Sequence, residues 1–130
     1  MKILFVCVGN SCRSQMAEGL ARRLGFEADS AGTHPAAKVA VNAVKYLESE
    51  GINTAGMKPK SVDLFDAKEY DKVISMGCGV ACPNMDIDED WGLEDPVGQS
   101  YEVYVATAKT IERRLNGWLA HSDVSDSPSP

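Results

Sequence analysis

Apolar residues occur along this chain in two patterns, short runs and longer stretches in which they recur every three or four positions. Residues 2–7 form a nearly continuous apolar run, which is typical of a strand buried on both faces of a parallel sheet. Residues 26–31 and 72–76 are two further short segments that fit strands, and Gly32 and Gly77 follow them. The first pattern therefore predicts three strands.

The second pattern predicts three helices. The first helix begins at Ser14 and ends at Gly25, the second ends at Gly51, and the third is long, with Ser100 as its predicted N-cap. Each helix has one apolar face. The residues of these faces are Met16, Ala17, Leu20, Ala21 and Leu24; Ala40, Val44 and Leu47; and Tyr104, Ala108, Ile111, Leu115 and Trp118.

The order of these elements predicts the fold class. Residues 53–61 predict a loop, and residues 77–98, with several glycines and an acidic run, predict an irregular region. Because strands alternate with helices, we expect a small doubly wound, flavodoxin-like α/β domain with a four-stranded parallel sheet and helices on both faces. We expect this domain to span residues 1–120, and residues 121–130 to form a flexible tail.

Composition narrows the class of protein. With 130 residues, 44% of them hydrophobic, the chain suits one soluble domain. A formal charge of -6 argues against binding to nucleic acid, although a few local donors can still hold a small anion. No apolar run approaches the roughly 20 residues that cross a bilayer, and no export signal is evident. We therefore expect a cytoplasmic monomer without membrane partners.

Four cysteines form two close pairs, Cys7 with Cys12 and Cys78 with Cys82. In a cytoplasmic protein they are expected to be thiols, which serve either a metal site or redox and nucleophilic chemistry. One hypothesis is a zinc-binding or arsenite-binding protein that uses all four thiolates. Arg13 opposes it, because it would place a positive charge beside the metal.

The loop between the first strand and the first helix carries the candidate chemistry. Open α/β sheets bind ligands at the carboxyl ends of their strands, and the N–H groups at a helix N-terminus attract anions. Arg13 can bind two oxygens of an oxyanion, and the same field stabilises Cys7 as a nucleophilic thiolate. Gly9 supplies backbone freedom, and Ser14 can donate to the thiolate. The predicted oxyanion-binding segment after Cys7 is Val8-Gly9-Asn10-Ser11-Cys12-Arg13-Ser14.

Together with a late Asp95-Pro96, this Cys-x5-Arg-Ser segment resembles the low-molecular-weight tyrosine phosphatase family. It is especially similar to the arsenate reductase branch that is coupled to thioredoxin. The resemblance covers nearly the whole chain apart from the last ten residues. Other matching segments are Ser30-Ala31-Gly32, Ser61-Val62-Asp63-Leu64 and Trp91-Gly92-Leu93-Glu94-Asp95-Pro96.

The resemblance implies a reaction. Cys7 attacks the central atom of arsenate, Arg13 and the loop amides hold its oxygens, and Asp95 protonates the leaving oxygen. Cys78 is then the attacking thiol and Cys82 the resolving thiol. The reductant is thioredoxin or a small-molecule thiol, because the short Cys-x3-Cys spacing also resembles actinobacterial enzymes. Phosphate and sulfate are expected to bind the same loop, since they are tetrahedral oxyanions too.

Two assignments stay open in the sequence. Cys12 is either a thiol that resolves and protects Cys7 or a residue that packs the loop. The alternative activity is a low-molecular-weight protein tyrosine phosphatase that hydrolyses aryl phosphates with Cys7, Arg13 and Asp95 alone. Against it stands Val97, because phosphatases of this family usually have an aromatic residue at that position.

The resemblance further suggests a potassium ion beside the loop, and no tightly bound cofactor otherwise. Hard cations prefer oxygen ligands, which this set supplies. The alternative is that its glutamate is a surface residue that pairs with Arg22 four positions later. The candidate ligands are Asn10, Glu18, Ser30, Ser61 and Asp63.

Overall fold

Strands and helices alternate along the first three-quarters of the fold and end in one long helix. The computed structural model describes residues 1–77 and 86–126, with side chains as far as residue 119. Two three-residue 3-10 helices, Val62–Leu64 and Ala67–Glu69, lie between the second α-helix and the third strand. The main elements are β1 (Lys2–Cys7), α1 (Arg13–Arg23), β2 (Glu27–Gly32), α2 (Val41–Ser49), β3 (Lys72–Ser75), β4 (Glu89–Asp90) and α3 (Tyr101–Asp126).

The four strands form one parallel sheet in the order β2-β1-β3-β4, as expected for the fold class. β1 is central because its apolar run is buried on both faces, and Cys7 pairs with Gly32 at its carboxyl end. β2 lies on one side of β1 and β3 lies on the other, so the direction of strand order reverses at β1. The carboxyl end of β1 is therefore the topological switch point of the sheet. Ligands bind at such a point in open α/β sheets.

Side chains of β1 alternate between two hydrophobic clusters. Ile3 and Phe5 join the larger cluster, to which α1, α2 and α3 all contribute. Leu4 and Val6 point into a smaller cluster that includes Val62 and other residues of the 3-10 segment. In the part of the chain that the structure describes, α-helices therefore cover one face and 3-10 turns cover the other.

Helix α1 is buried from Arg13 through Ala21, including its polar residues. It lies between the sheet and the other two α-helices, so no side of its first two turns faces solvent. Burying polar groups is costly unless they are hydrogen-bonded. The buried Arg13, Ser14, Gln15 and Glu18 are therefore the residues whose partners define the site below.

The structure corrects two boundaries. β4 lies within residues 77–98, which the sequence predicts as irregular, since a two-residue strand is too short to produce a hydrophobic pattern. α3 extends to Asp126, past residue 121, where the flexible tail is expected to begin. The tail has no glycine or proline before Pro128, so nothing in residues 121–126 stops a helix.

The predicted ends of the helices agree with the structure. Gly25 and Gly51 follow α1 and α2 with φ of 98° and 76°, the left-handed conformation that glycine adopts at low cost. Ser100 immediately precedes α3, as predicted for its N-cap. Within the described part of the chain, no helix has the length and apolar character to span a membrane.

Candidate active site

Cys7 ends β1, and its sulfur is almost completely buried, with 2% of the residue exposed. The sulfur lies 2.8 Å from Ser14 Oγ and accepts a hydrogen bond of 3.1 Å from the Asn10 N–H. Ser14 Oγ itself accepts from Asn10 Nδ2 at 2.7 Å, which leaves the Ser14 hydroxyl proton for the sulfur. Two donors, the Ser14 hydroxyl and the Asn10 N–H, thus point at the Cys7 sulfur.

The nucleophile loop, residues 8–12, turns its backbone carbonyls away from the sulfur. The carbonyls of Val8, Gly9 and Ser11 accept hydrogen bonds from the segment 34–40 at 2.8 to 2.9 Å. A trans peptide directs its N–H opposite to its C=O. The N–H groups of Gly9, Asn10 and Cys12 therefore point away from the segment 34–40, and the Asn10 N–H is bonded to the Cys7 sulfur.

Asn10 is the residue that fixes the shape of this loop. It is fully buried and has a φ of 50°, so the left-handed position is Asn10 and not Gly9, which was expected to supply the backbone freedom. Its Oδ1 accepts from Gln15 Nε2 at 3.0 Å and from the Lys60 N–H at 2.9 Å. Asn tolerates this conformation because its side chain hydrogen-bonds locally.

Gly32 lets β2 approach the loop. A Cβ at this position would lie 2.5 Å from the Val8 carbonyl oxygen and 2.9 Å from the Asn10 nitrogen, closer than van der Waals contact allows. Gly32 also pairs with Cys7 across the sheet. The sequence signals only a strand end here, because the partner of this contact comes from another element.

Arg13 is held by one of its nitrogens. Its Nη1 donates to the carbonyls of Met76 at 3.0 Å and Leu93 at 2.8 Å, and the residue is 4% exposed. Its Nε is buried and has no hydrogen-bond partner within residues 1–77 and 86–119. Such a donor is costly to leave unpaired, so the atoms that Arg13 offers to an anion are Nε and Nη2.

Asp95 lies on the other side of Arg13. Its Oδ2 is 3.8 Å from Arg13 Nη2, and its Oδ1 accepts from the Val97 N–H at 3.1 Å and from Cys12 Sγ at 3.3 Å. The carboxyl side chain is half exposed. The structure thus brings Asp95 to the same arginine that serves the nucleophile loop.

Cys12 is a buried thiol beside a carboxylate. Burial, followed by the charge of Asp95, raises the pKa of Cys12 to about 12. Cys12 is therefore protonated at neutral pH, which disfavours both a zinc thiolate and a role as a nucleophilic resolving thiol. No group of three or more His, Cys, Asp or Glu suited to a metal occurs in the described ranges.

Cys78 and Cys82 lie outside the described residues, so their predicted roles stay predictions. The chain reaches them from Gly77, whose carbonyl oxygen is 3.5 Å from Arg13 Nη1.

The candidate potassium ligands are only partly brought together. Ser30 Oγ donates to Glu18 Oε1 at 2.7 Å, and Glu18 is buried, not on the surface. That carboxylate already has Arg22 at 3.2 Å, the alternative pairing, and Lys60 Nζ at 3.4 Å. Asp63 is exposed. Because two cations neutralise Glu18, the set does not fit a resident potassium ion well.

Sequence reasoning missed Gln15 and Lys60. Gln15 Nε2 donates to the Asn10 and Lys58 carbonyls, and the Lys60 backbone holds the Asn10 side chain. The signal in the sequence for Gln15 is its place directly after the Cys-x5-Arg-Ser segment. Lys60 contributes a backbone N–H, for which side-chain identity gives no signal.

Known proteins are similar to this chain in sequence and in fold. A family model described as low molecular weight phosphotyrosine protein phosphatase matches residues 2–126. The glutaredoxin arsenate reductase of Synechocystis sp. (strain ATCC 27184 / PCC 6803 / Kazusa) is 41% identical over 127 residues, which cover 92% of this chain and 96% of that protein.

Solved structures agree with the sequence comparison. One described as an arsenate reductase in the phosphate binding state has a TM-score of 0.82 and 41% identity, covering 92% of this chain and 97% of that chain. The thioredoxin-dependent arsenate reductase of Corynebacterium glutamicum has a TM-score of 0.76 and 29% identity, covering 96% of this chain and 63% of that chain.

Proposed function

The chain belongs to the low molecular weight phosphotyrosine protein phosphatase family, and on that premise we propose that it is an arsenate reductase. The observation that carries the chemistry is the Cys7 sulfur, which accepts from Ser14 and Asn10 beside an arginine with a buried, unpartnered Nε. Relatives named arsenate reductase favour this activity over phosphate ester hydrolysis.

In the first step, the Cys7 thiolate attacks arsenic and an S–As bond forms. The bond between arsenic and one of its hydroxyl groups breaks, and that hydroxyl takes a proton from Asp95 and departs as water. Arg13 and the loop N–H groups balance the charge on the remaining oxygens. Arsenic is still pentavalent at the end of this step, because a thiolate has replaced a hydroxyl group. A phosphatase would share the step with phosphorus as the central atom.

In the second step, the oxidation state changes. The thiolate of Cys78 attacks the Cys7 sulfur, a disulfide forms, and the electron pair of the broken S–As bond goes to arsenic, which leaves as arsenite. Cys82 then attacks Cys78 and releases Cys7. Two thiols supply the two electrons, and a Cys78–Cys82 disulfide remains for an external reductant.

The external reductant is a dithiol protein or a small thiol. The names of the compared enzymes differ in the reductant. The Synechocystis relative is named glutaredoxin arsenate reductase, and the Corynebacterium glutamicum structure is described as a thioredoxin-dependent arsenate reductase. We propose thioredoxin as the partner. The test compares the turnover rate with thioredoxin and the turnover rate with glutathione plus glutaredoxin. A dependence on potassium is a second proposal, which replacing potassium by sodium in the assay tests. Lys60 and Arg22, which neutralise Glu18, argue against it.

The decisive experiment adds arsenate to the fully reduced protein without an external reductant and maps the thiols by mass spectrometry. We expect stoichiometric arsenite and a Cys78–Cys82 disulfide. In the Cys82→Ser variant, a Cys7–Cys78 disulfide should accumulate, and Cys7→Ser is the inactive control. If arsenite appears only with a small thiol, the internal relay is wrong. Intact thiols without arsenite, combined with hydrolysis of an aryl phosphate, would establish the phosphatase instead.

A further inference from the structure

We propose that Cys12 is a positioning residue whose S–H, donating to Asp95 Oδ1, holds that carboxyl beside Arg13 and directs its proton toward the bound oxyanion. The inference rests on the proposed function, in which Asp95 is the acid. It gives Cys12 a role other than resolving thiol or simple packing.

The side chain of Cys12 is committed to this contact. Cys12 is the N-cap residue of α1, yet its side chain makes no capping hydrogen bond to the helix. Serine, threonine, aspartate and asparagine are preferred at N-caps because they do make one. The buried sulfur instead lies 3.3 Å from Asp95 Oδ1, a contact between residues 83 positions apart in the chain.

Asp95 has few other ties to the domain. The Val97 N–H is a neighbour in the same loop, so it shapes the turn without attaching it to the core. Arg13 Nη2 lies 3.8 Å away, and this nitrogen is one of the two donors that a bound oxyanion would occupy. Among the described residues, Cys12 is then the link that keeps Asp95 in place during the reaction.

The same contact selects the oxygen that carries the proton. A neutral carboxyl has one oxygen that accepts hydrogen bonds and one that carries the proton. Oδ1 accepts from both Cys12 and Val97, so the proton belongs on Oδ2, the oxygen on the Arg13 side. Burial keeps Cys12 protonated, which makes it a donor to the carboxyl at working pH.

A double-mutant cycle on single-turnover arsenite formation tests the inference. Cys12→Ala should lower the rate about three- to tenfold, the effect of one lost hydrogen bond, and Cys12→Ser should restore most of it. In an Asp95→Asn background, Cys12→Ala should lower the rate no further, because the acid through which Cys12 acts is absent. Equal losses in both backgrounds, or no loss in either, would overturn the inference.

A second measurement does not depend on turnover. In a chain whose other cysteines are replaced by serine, the Cys12 pKa is read from the thiolate absorbance, with about 12 expected. Asp95→Asn should lower it, because a neutral amide no longer opposes the thiolate. An unchanged value means that the contact is absent and refutes the inference. If the wild type forms no arsenite while this pKa falls, the proposed function fails and the Cys12–Asp95 contact stands.

Discussion

The nucleophile loop, residues 8–12, and the acid loop, residues 93–97, meet at Arg13 but are built differently. The nucleophile loop is attached on every side: its carbonyls are bonded to the segment 34–40, and Asn10 is fully buried. The acid loop is largely exposed, and its carboxyl has one buried donor, the Cys12 thiol. The donors to the Cys7 sulfur are thus fixed by many contacts, whereas Asp95 is held by few.

The difference has a chemical reason. A thiolate must be stabilised before substrate arrives, so its donors are part of the folded core. An acid must release its proton as the leaving oxygen departs, which suits a half-exposed carboxyl that exchanges protons with solvent. Substitutions on the two sides should therefore fail in different ways, and the following predictions separate them.

The largest effect is expected from Cys7→Ser, because no other group can form the S–As bond. Arsenite formation should fall below detection while phosphate still binds, since the loop amides and Arg13 are unchanged. Arsenite analysis measures the reaction, and calorimetric titration measures the affinity for phosphate. Loss of phosphate binding would mean that the sulfur, and not the backbone, organises the loop.

Arg13→Lys should lower kcat/KM for arsenate by about 10²–10³, the effect of losing a preorganised oxyanion donor. Lysine cannot bond the Met76 and Leu93 carbonyls and also present two nitrogens to an anion. Because Arg13 serves both loops, kcat and phosphate affinity should fall together. A fall in only one of them would show that the loops do not share this residue.

Asp95→Asn should lower kcat by about 10²-fold, the lower range for general acid catalysis, with little change in phosphate affinity. The amide keeps the shape of the carboxyl but has no proton to transfer. Steady-state kinetics and phosphate titration together measure this split. An equal loss of affinity would place Asp95 in anion binding.

Asn10→Ala should reduce the free energy of unfolding by about 1–3 kcal/mol, because it leaves buried donors without a partner. Asn10→Gly loses the same side chain but tolerates the φ of 50°, so it should be less destabilised and serves as the matched control. Urea denaturation measures both. Equal stabilities would mean that backbone conformation contributes nothing at this position.

The last prediction concerns alkaline stability and has no effect at neutral pH. Folding raises the Cys12 pKa from 9.0 to about 12, so the folded state holds a proton that the unfolded state loses. Stability from this group is complete below pH 9 and falls as pH rises toward 12. Cys12→Ser should flatten the decline, measured by urea denaturation across this range. Tyr46, Tyr70 and Tyr104, whose pKa values are also raised, remain as the shared background.

The sequence was most informative where function and local pattern coincide. β1, α1 and the segment from Cys7 to Ser14 could be located because an apolar run, a loop and an amphipathic helix follow one another directly. Asp95 was found only through family resemblance, since its contacts with Arg13 and Cys12 join distant parts of the chain. Gly32 and Lys60 act through backbone proximity, which no residue pattern encodes.

The partners of Arg13 and of Cys7 also differ in their place along the chain. Cys7, Asn10 and Ser14 are close in sequence, and their network is complete once Lys60 has been made. All the described partners of the Arg13 guanidinium lie between residues 76 and 95. During translation, Cys7 therefore emerges from the ribosome long before the residues that contact the Arg13 guanidinium. The contacts that position the Arg13 guanidinium are complete only when residue 95 has left the ribosome.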